Sequence, residues 1–152
     1  MKGMSQSLAE IVVHLIFSTQ FRFAFLDAKI RPDLFSYMAA LAKNQSSQVY
    51  EIGGMEDHVH ILLTLPRTMT LSRLVEVVKK ESSKWVKRNC DLPLFAWQSG
   101  YGAFSVSSSR IEVVRRYVRQ QEQHHQKTNF QDELRMFLKN SNLSFDEKYL
   151  WD

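Results

Sequence analysis

The 152-residue sequence has one cysteine, three prolines, five glycines and no long apolar run. A lone Cys90 excludes an intrachain disulfide and a cysteine-based metal site, and so few prolines and glycines argue against a flexible linker. No apolar stretch approaches the roughly 20 residues that a membrane span needs. The opening residues also lack the apolar segment of a secretory signal. The sequence therefore predicts a cytoplasmic protein with no membrane partner.

The rest of the composition is typical of one globular domain. Hydrophobic residues make up 44% and charged residues 24% of the chain, which is ordinary for a soluble fold. A chain of this length can bury a sizeable core without disulfides or a structural metal. We predict a single domain over residues 1–152, with a core at about 8–126 and a C-terminal helix and tail at 127–152.

Basic residues outnumber acidic ones and are concentrated in two segments. The net charge of +4 and the pI near 9.3 are compatible with a polyanionic partner such as nucleic acid. The two segments are residues 73–88 and 110–119. For any one of these basic residues, a position on a solvated helix face explains its charge as well as DNA binding does. Five side chains of the first segment are predicted to contact a DNA backbone: Lys79, Lys80, Lys84, Lys87 and Arg88.

The strand pattern predicts an antiparallel α+β domain. Apolar, β-branched runs predict four strands, and a helix that begins at Pro32 connects the first two. A short, glycine-containing connection predicts an antiparallel hairpin between the second and third strands. The order β-α-β-β-α-β is that of the ferredoxin-like fold, here with C-terminal helices. The predicted strands are residues 11–17, 48–52, 58–65 and 103–107.

Capping residues predict where the later helices begin. Thr70 is a good N-cap for a long helix that has Trp85 in its apolar stripe. Residues 109–112 match a capping box, which predicts a helix running to about His125. Residues 128–131 match a second box, which predicts the start of a last helix.

His58 and His60 flank one apolar residue on the third predicted strand. Alternate side chains of a strand share a face, so both imidazoles are expected to point the same way. Residues 61–63 are apolar and indicate a buried strand, where an unsatisfied polar group is costly. Two neighbouring imidazoles can bind one divalent cation, and a pair of hydrogen-bonded core histidines is the alternative interpretation.

Tyr117 and Gln121 are four residues apart and share one face of their predicted helix. A tyrosine oxygen can attack a phosphodiester. Because its pKa is about 10, however, only about one tyrosine side chain in a thousand is ionised at pH 7, and ionisation costs about 4 kcal/mol. A bound cation can offset this by withdrawing charge from the phosphate. The carbonyl oxygen of Gln121 suits Mg²⁺ or Mn²⁺. A packing tyrosine and a solvated glutamine are the alternatives.

Six segments along nearly the whole chain carry the motifs of one family. They are VHLIFST at 13–19, DHVHIL at 57–62, the long helix with Leu74, Val75, Lys79, Lys84 and Trp85, WQSGYGAFSVS at 97–107, YVRQQ at 117–121 with His124 and His125, and FDEKYLWD at 145–152. The series resembles the single-tyrosine transposases of the His-hydrophobic-His (HUH) nuclease superfamily, from insertion sequences that move as single-stranded DNA. Gln20 replaces a frequent lysine and Val118 a common isoleucine, and neither touches the proposed chemistry.

The resemblance implies a role for each matching residue. Tyr117 looks like the nucleophile that becomes linked to the 5′ phosphate. His58 and His60 look like ligands of Mg²⁺ or Mn²⁺, with Gln121 as the third ligand. The family also implies a DNA transposase that recognises single-stranded DNA hairpins near the ends of its element and needs no ATP. It further implies a homodimer in which the tyrosine helix commonly enters the partner's metal site.

Other functions remain open at this point. A domesticated relative that binds and nicks chromosomal hairpin repeats would have the same residues. A non-catalytic nucleic-acid-binding module usually stacks bases on paired aromatic residues, and the equivalent strand here carries histidines. A metal-dependent hydrolase would usually need a carboxylate cluster, which the sequence pattern does not indicate. Tyr101, in a glycine-flanked turn, is a second candidate nucleophile, and His14, on an apolar strand, is assigned no role.

Overall fold

A computed structural model describes residues 7–125, 128–141 and 143. None of the helices in this described part is long and apolar enough to cross a membrane. Short 3₁₀ turns occur at Gln20–Arg22 and Ser108–Arg110. In chain order the strands and α-helices are β1 (Val12–Ser18), α1 (Arg31–Asn44), β2 (Val49–Met55), β3 (His58–Thr64), α2 (Leu71–Asn89), β4 (Gly102–Val106), α3 (Ile111–Arg119), α4 (Gln121–His124) and α5 (Phe130–Asn140).

The four strands form one antiparallel sheet in the order β2-β3-β1-β4. The central strand β1 pairs with β3 on one side and β4 on the other, and Ser18 lies opposite His58 while Ile16 lies opposite His60. Strands joined through a helix are separated by one strand, which is the split βαβ arrangement. The predicted α+β, ferredoxin-like fold with its antiparallel hairpin is therefore confirmed.

Helices α1 and α2 cover one face of the sheet. The side chains of alternate residues along β1 and β3 point to this face and meet apolar residues of both helices. The N-cap of α2 is Thr70, as predicted, and its hydroxyl accepts a hydrogen bond from the backbone of Arg73 at 3.2 Å. Trp85 was expected in the apolar stripe of α2. It is half-buried, packs against this core and stacks on Tyr37, while the adjacent Val86 is fully buried.

Helices α3, α4 and α5 lie over the opposite face. The remaining side chains of β1 and β3 point here, among them His14, His58 and His60. An apolar cluster secures α5 to β1 and β4, so the polar residues of this face are enclosed beneath helices. The cluster consists of Ile16, Phe104, Phe130, Leu134 and Leu138.

Strand β2 continues through Gly53 and Gly54 to Met55, whereas the sequence pattern predicts its end before the two glycines. A Cβ atom on Gly53 would lie 1.9 Å from the carbonyl oxygen of Val118 in α3. A Cβ on Gly54 would lie 2.3 Å from the carbonyl oxygen of His58. The two glycines thus allow close backbone approach within the sheet and under α3, and they do not end the strand.

The helix predicted from the capping box at residues 109–112 differs in two ways. The Ser109 hydroxyl contacts the Ser107 hydroxyl at 3.3 Å and makes no cap to α3, because a 3₁₀ turn precedes the helix. The helix is also interrupted at Gln120, with φ −98° and ψ 30°. What looks like one helix to His125 is therefore α3 followed by the single turn α4.

The last helix begins at a different cap from the predicted one. The Asn129 side chain accepts a hydrogen bond from the backbone of Asp132 at 2.9 Å, so Asn129 is the N-cap in place of Thr128. The predicted helix itself is confirmed as α5. The motif at residues 145–152 lies outside the described residues.

Candidate active site

His58 and His60 lie on β3, which pairs with β1 in the middle of the sheet, and they face the helices α3 to α5. Both side chains are fully buried, and their ring centroids lie 5.2 Å apart. The alternation of side chains along a strand explains why both rings reach the same side of the sheet. The histidine pair therefore faces one enclosed space between the sheet and the helices.

The Nδ1 atom of each of these imidazoles contacts a side chain of the same chain. His60 Nδ1 lies 2.8 Å from His14 Nε2, and His58 Nδ1 lies 2.7 Å from Asp57 Oδ1. Both Nε2 atoms consequently point into the enclosed space. Metal-binding histidines typically have such a partner on the other ring nitrogen, which sets the tautomer and the ring orientation. His14, which received no role from the sequence, thus orients His60.

Burial keeps His14 and His60 neutral. Desolvation lowers the pKa of His60 to about 4, although the neighbouring Glu133 carboxylate opposes the shift. Desolvation, reinforced by His60, lowers the pKa of His14 to about 3. Neutral imidazole is the form that binds a metal ion. His60 is therefore in the ligating form at neutral pH.

Helices α3 and α4 bring Tyr117 and Gln121 over the histidine pair. Gln121 is buried, and its Oε1 atom lies 3.1 Å from His58 Nε2. The half-buried ring of Tyr117 has its centroid 5.7 Å from that of His60. The structure thus brings together the four residues to which the family resemblance assigns the reaction.

The helix that carries Tyr117 is attached to its own chain by ion pairs. Glu51 of β2 contacts Arg115 at 3.2 Å and Arg119 at 3.1 Å. Burial opposes ionisation of Glu51, but the two guanidinium groups outweigh it and lower the pKa of the carboxyl. Arg31 at the start of α1 pairs with Glu122 of α4 at 2.8 Å. These contacts bind the tyrosine helix over the histidine pair of the same chain.

Glu133 of α5 places a carboxylate in the middle of the cluster, and the sequence-based prediction omits it. The side chain is buried. Its Oε1 atom lies 2.8 Å from His60 Nε2 and 3.8 Å from His58 Nε2. The Tyr117 hydroxyl donates a hydrogen bond to the other oxygen, Oε2. One carboxylate therefore joins the candidate nucleophile to both histidines.

Two histidines after the helix break complete the surroundings of Glu133. His124 Nε2 and His125 Nε2 lie 3.0 and 3.2 Å from Glu133 Oε2. Burial alone would raise the pKa of Glu133, but the imidazoles and the Tyr117 hydroxyl outweigh burial and lower it, so Glu133 is ionised. Burial and then the Glu133 charge raise the pKa of Tyr117. The tyrosine hydroxyl keeps its proton in this arrangement.

The cluster has the donor atoms and the spacing of a divalent-cation site. One ligand atom from each of His58, His60, His125 and Glu133 lies within 4.8 Å of the others. Neighbouring ligands of an octahedral Mg²⁺ or Mn²⁺, each about 2.1 Å from the ion, are roughly 3 Å apart. His125 Nε2, a buried atom of the described part of the chain, lies 3.2 Å from Glu133 Oε2 without the geometry of a hydrogen bond, so it is placed to share a metal ion with that carboxylate. The residues present therefore fit a divalent cation.

Glu133 and His14, to which the sequence-based prediction gives no role, each have a sequence feature that the structure explains. Glu133 falls within the apolar stripe of α5, three residues after Phe130 and four before Phe137. A carboxylate in such a stripe is costly unless it has partners. His14 has the same strand parity as Ile16, which faces the site. No sequence spacing connects either residue to the histidine pair, since the contacts come from distant elements.

The five basic residues predicted to bind DNA lie on α2, on the other side of the sheet from the histidine pair. Lys79 Nζ contacts the carbonyl oxygens of Gln98 and Gly100, each at 2.7 Å. Burial lowers the pKa of Lys79 to about 8. Lys79 therefore ties α2 to the segment before β4. The other four side chains are exposed: Lys80, Lys84, Lys87 and Arg88.

Tyr101, the second candidate nucleophile, is not part of the cluster. Its partly exposed ring lies near Lys79, whose Nζ is 5.8 Å from the ring centroid. Lys79 belongs to α2, which covers the opposite face of the sheet. The structure therefore places Tyr117, and not Tyr101, beside the histidine pair.

Comparison with known proteins identifies the family of the chain. The chain matches the family described as "Transposase IS200 like" over residues 7–121. The chain belongs to this family. The resemblance to single-tyrosine HUH transposases is thereby confirmed. The segment that matches the IS200-like transposases contains His58, His60, Tyr117 and Gln121, whereas Glu133 lies beyond it.

Two solved structures share the fold of this IS200-like transposase. One is a protein from Deinococcus radiodurans R1 to which a transposase function is ascribed, with a TM-score of 0.61, 20% identity, and coverage of 78% of this chain and 95% of that one. The other is a REP-associated tyrosine transposase bound to a REP hairpin, with a TM-score of 0.56, 14% identity, and coverage of 78% and 70%. At these identities the likeness concerns the fold. No curated protein sequence matches the chain.

Proposed function

We propose that this transposase cuts and rejoins single-stranded DNA at hairpin-bearing element ends through a covalent 5′-phosphotyrosine intermediate. The observation that carries the proposal is the Tyr117 hydroxyl, held by a buried carboxylate that also contacts His58 and His60. A hydroxyl nucleophile beside a set of cation ligands is what metal-assisted phosphodiester attack requires. The hairpin held by the similarly folded REP-associated transposase supports hairpin DNA as the partner.

The proposed reaction is a pair of transesterifications. Tyr117 Oη forms a bond to phosphorus while the bond from phosphorus to the 3′ oxygen breaks. The proton lost by the tyrosine balances the one gained by the departing 3′ hydroxyl. Rejoining is the reverse step, in which a 3′ hydroxyl attacks the phosphotyrosine and releases Tyr117. No ATP is needed, because the phosphotyrosine retains the bond energy.

The residues that would hold Mg²⁺ or Mn²⁺ are His58, His60 and Gln121, and the spacing of the ligand atoms adds Glu133 and His125 as candidates. When bound, such a cation withdraws negative charge from the scissile phosphate, which contributes several kcal/mol. A carboxylate is a preferred ligand of these hard cations. Glu133 has a second role in this arrangement, because its Oε2 atom holds the Tyr117 hydroxyl. It thereby positions the nucleophile beside the cation ligands.

Formation of a protein–DNA adduct is the direct test of the proposed function. The chain is incubated with a single-stranded DNA hairpin and Mn²⁺, and the products are separated under denaturing conditions. An adduct that requires both the cation and Tyr117 supports the proposal. Binding without an adduct under any cation would instead indicate a non-catalytic DNA-binding module. A domesticated relative would form the same adduct and would differ in lacking element ends beside its gene.

We infer that, within the expected homodimer, each histidine pair is served by the tyrosine helix of its own chain. The family resemblance implies exchange of this helix between subunits. In this chain, however, Glu51 binds Arg115 and Arg119, and Val118 of α3 packs directly on Gly53. Exchange would have to replace these contacts with the same ones from a partner. The intact single-chain cluster supports a site built within one subunit.

A heterodimer of Tyr117→Phe and His58→Ala chains, purified with two tags, is therefore expected to bind DNA but not cleave it. Neither chain then has a complete site. The matched control pairs a wild-type chain with a chain that carries both substitutions. That control should keep about half of the wild-type activity, because one chain retains a whole site. Recovered cleavage in the first heterodimer, with the adduct on the His58→Ala chain, would show that the helix is exchanged.

We propose that Lys80, Lys84, Lys87 and Arg88 contact the DNA backbone beyond the tyrosine site. Neutralising Lys80 and Lys84 to glutamine should weaken hairpin binding. It should also reduce the slope of log K against log salt by about 1.4 to 1.8, because two phosphate contacts no longer release counterions. Fluorescence anisotropy over a salt series measures both. Lys29→Gln with Lys43→Gln is the control of equal charge, and an equal slope in the two double variants would contradict a contact through α2.

A further inference from the structure

The segment that follows β1 has a strained backbone. Phe21, with φ 55° and ψ 17°, and Arg22, with φ 58°, both lie in the left-handed region. This region is unfavourable for residues that have a Cβ atom, and glycine or asparagine usually occupies it. Here two large side chains occupy it in succession. Strain of this kind persists only where the surrounding structure holds it, and it is concentrated at functional sites.

The strained segment presents two phenyl rings to solvent. Phe21 is 65% exposed and Phe23 is 56% exposed. Their ring centroids lie 5.8 Å apart in an edge-to-face arrangement. Phe23 packs in the same way on Phe25, which contacts the buried Phe95. The exposed ring pair, Phe21 and Phe23, is therefore supported by rings that reach into the core.

The ring pair is attached to the residue that orients His58. The backbone N–H of Thr19 donates to the carbonyl oxygen of Asp57 at 2.8 Å. The Thr19 hydroxyl lies 2.7 Å from the carbonyl oxygen of Phe23 and 3.2 Å from that of Asp57. Asp57 in turn holds His58 Nδ1 through its side chain. The ring pair thus lies at the end of the sheet where β3 begins with His58.

We propose that Phe21 and Phe23 form a stacking platform for the unpaired bases that flank the scissile phosphate. The proposal rests on the proposed function for the presence of single-stranded DNA at this end of the sheet. Aromatic side chains hold unpaired bases irrespective of sequence, because every base has a π face. Arg22, which lies between Phe21 and Phe23 in the sequence and is exposed, adds a positive charge to this segment. The exposed Glu56 on the adjoining turn disfavours a phosphate there, which leaves the bases as the part of the strand that faces the rings.

The first test measures binding of a short fluorescein-labelled oligothymidylate by anisotropy, without divalent cations so that no cleavage occurs. Replacement of both rings, Phe21→Ala with Phe23→Ala, should weaken binding by about tenfold or more. The same strand made of abasic residues should bind wild type and variant equally, because it has no bases to stack. Leu8→Ala removes a side chain that is 89% exposed before the other end of β1, and should change nothing.

The second test uses the backbone strain at Phe21. Phe21→Gly should raise Tm by a few degrees, because glycine adopts the positive φ at low cost. The same substitution should weaken oligothymidylate binding and leave abasic binding unchanged. If the Phe21 ring only stabilised the fold, Phe21→Gly would instead lower Tm, because the packing of the ring would be lost. Phe21→Trp should keep or strengthen binding, because a larger π face remains.

Several outcomes would overturn the stacking platform. One is equal loss of affinity for the normal and abasic strands, and another is unchanged affinity in the double variant. A third is a double variant that fails to dimerise in sedimentation while it still binds the oligonucleotide normally, which would make the ring pair a contact with a second copy of the chain. Failure of the proposed function is separately visible, as a wild-type chain that forms no adduct or a Tyr117→Phe chain that still forms one, because neither result depends on these rings.

Discussion

Replacing Tyr117 with phenylalanine is expected to abolish the covalent protein–DNA adduct and to leave hairpin binding close to wild type. Only the hydroxyl is lost, and without it no oxygen is present at this position to attack phosphorus. We expect adduct formation to fall by roughly a thousandfold or more, below detection on a denaturing gel. Peptide mapping of the wild-type adduct should place the DNA on the peptide that contains Tyr117.

The control for this substitution is Tyr101→Phe, which removes the same atom from the tyrosine on the other side of the sheet. It should form the adduct at the wild-type rate. The Tyr117→Phe chain also loses a hydrogen bond to the buried Glu133, so its Tm should be measured together with its activity. An adduct that survives Tyr117→Phe but disappears with Tyr101→Phe would show that Tyr101 is the nucleophile. The reaction would then take place on the face of the sheet opposite the histidine pair.

The fold and the histidine pair could be predicted because they depend on local periodicity. Alternation along β3 places His58 and His60 on one face whatever the rest of the chain does. The four-residue spacing of Tyr117 and Gln121 survives the interruption at Gln120, since both side chains still reach the site. Regular repeats of two and of about 3.6 residues are readable in a sequence without any knowledge of tertiary contacts.

The rest of the site could not be predicted because its contacts join distant elements. Glu133 reaches the histidines only through the way α5 packs on β1 and β4, and no spacing in the sequence encodes that docking. The role of Gly53 likewise depends on the approach of Val118 from α3. In the sequence alone, Gly53 and its neighbour are typical of a strand end. Tertiary packing decides such positions, and local patterns do not.

The break at Gln120 is a further case in which local pattern and tertiary requirement differ. The residues from 109 to 125 have a continuous helical pattern, so one helix is the simplest prediction. The structure instead separates α3 from α4, and Gln121 is buried against His58. His124 and His125 then lie beside Glu133. The interruption therefore coincides with the point at which the chain turns its polar residues into the site.

Loss of His58 or of His60 is expected to remove most of the cleavage activity and most of the cation affinity. His58→Ala or His60→Ala deletes one of two imidazoles whose Nε2 atoms face the same space. Affinity for Mn²⁺ is measured on the chain without DNA, by calorimetry or by the electron paramagnetic resonance of the free ion. We expect a decrease of at least about tenfold for each variant. Gln121→Ala should have a smaller effect, because water can replace a neutral oxygen.

Glu133→Gln tests whether α5 contributes a ligand to the same cation. The substitution keeps the size and the hydrogen-bonding oxygen of the side chain but removes its charge, so Mn²⁺ affinity should fall by about tenfold if Glu133 is a ligand. Asp132→Asn removes the same charge from the neighbouring, exposed carboxylate, which pairs with Arg135, and should leave Mn²⁺ binding unchanged. Equal affinity in Glu133→Gln and wild type would restrict the role of Glu133 to holding Tyr117. Full cleavage in excess chelator would show that the reaction needs no divalent cation, and the histidine pair would then be a hydrogen-bonded part of the core.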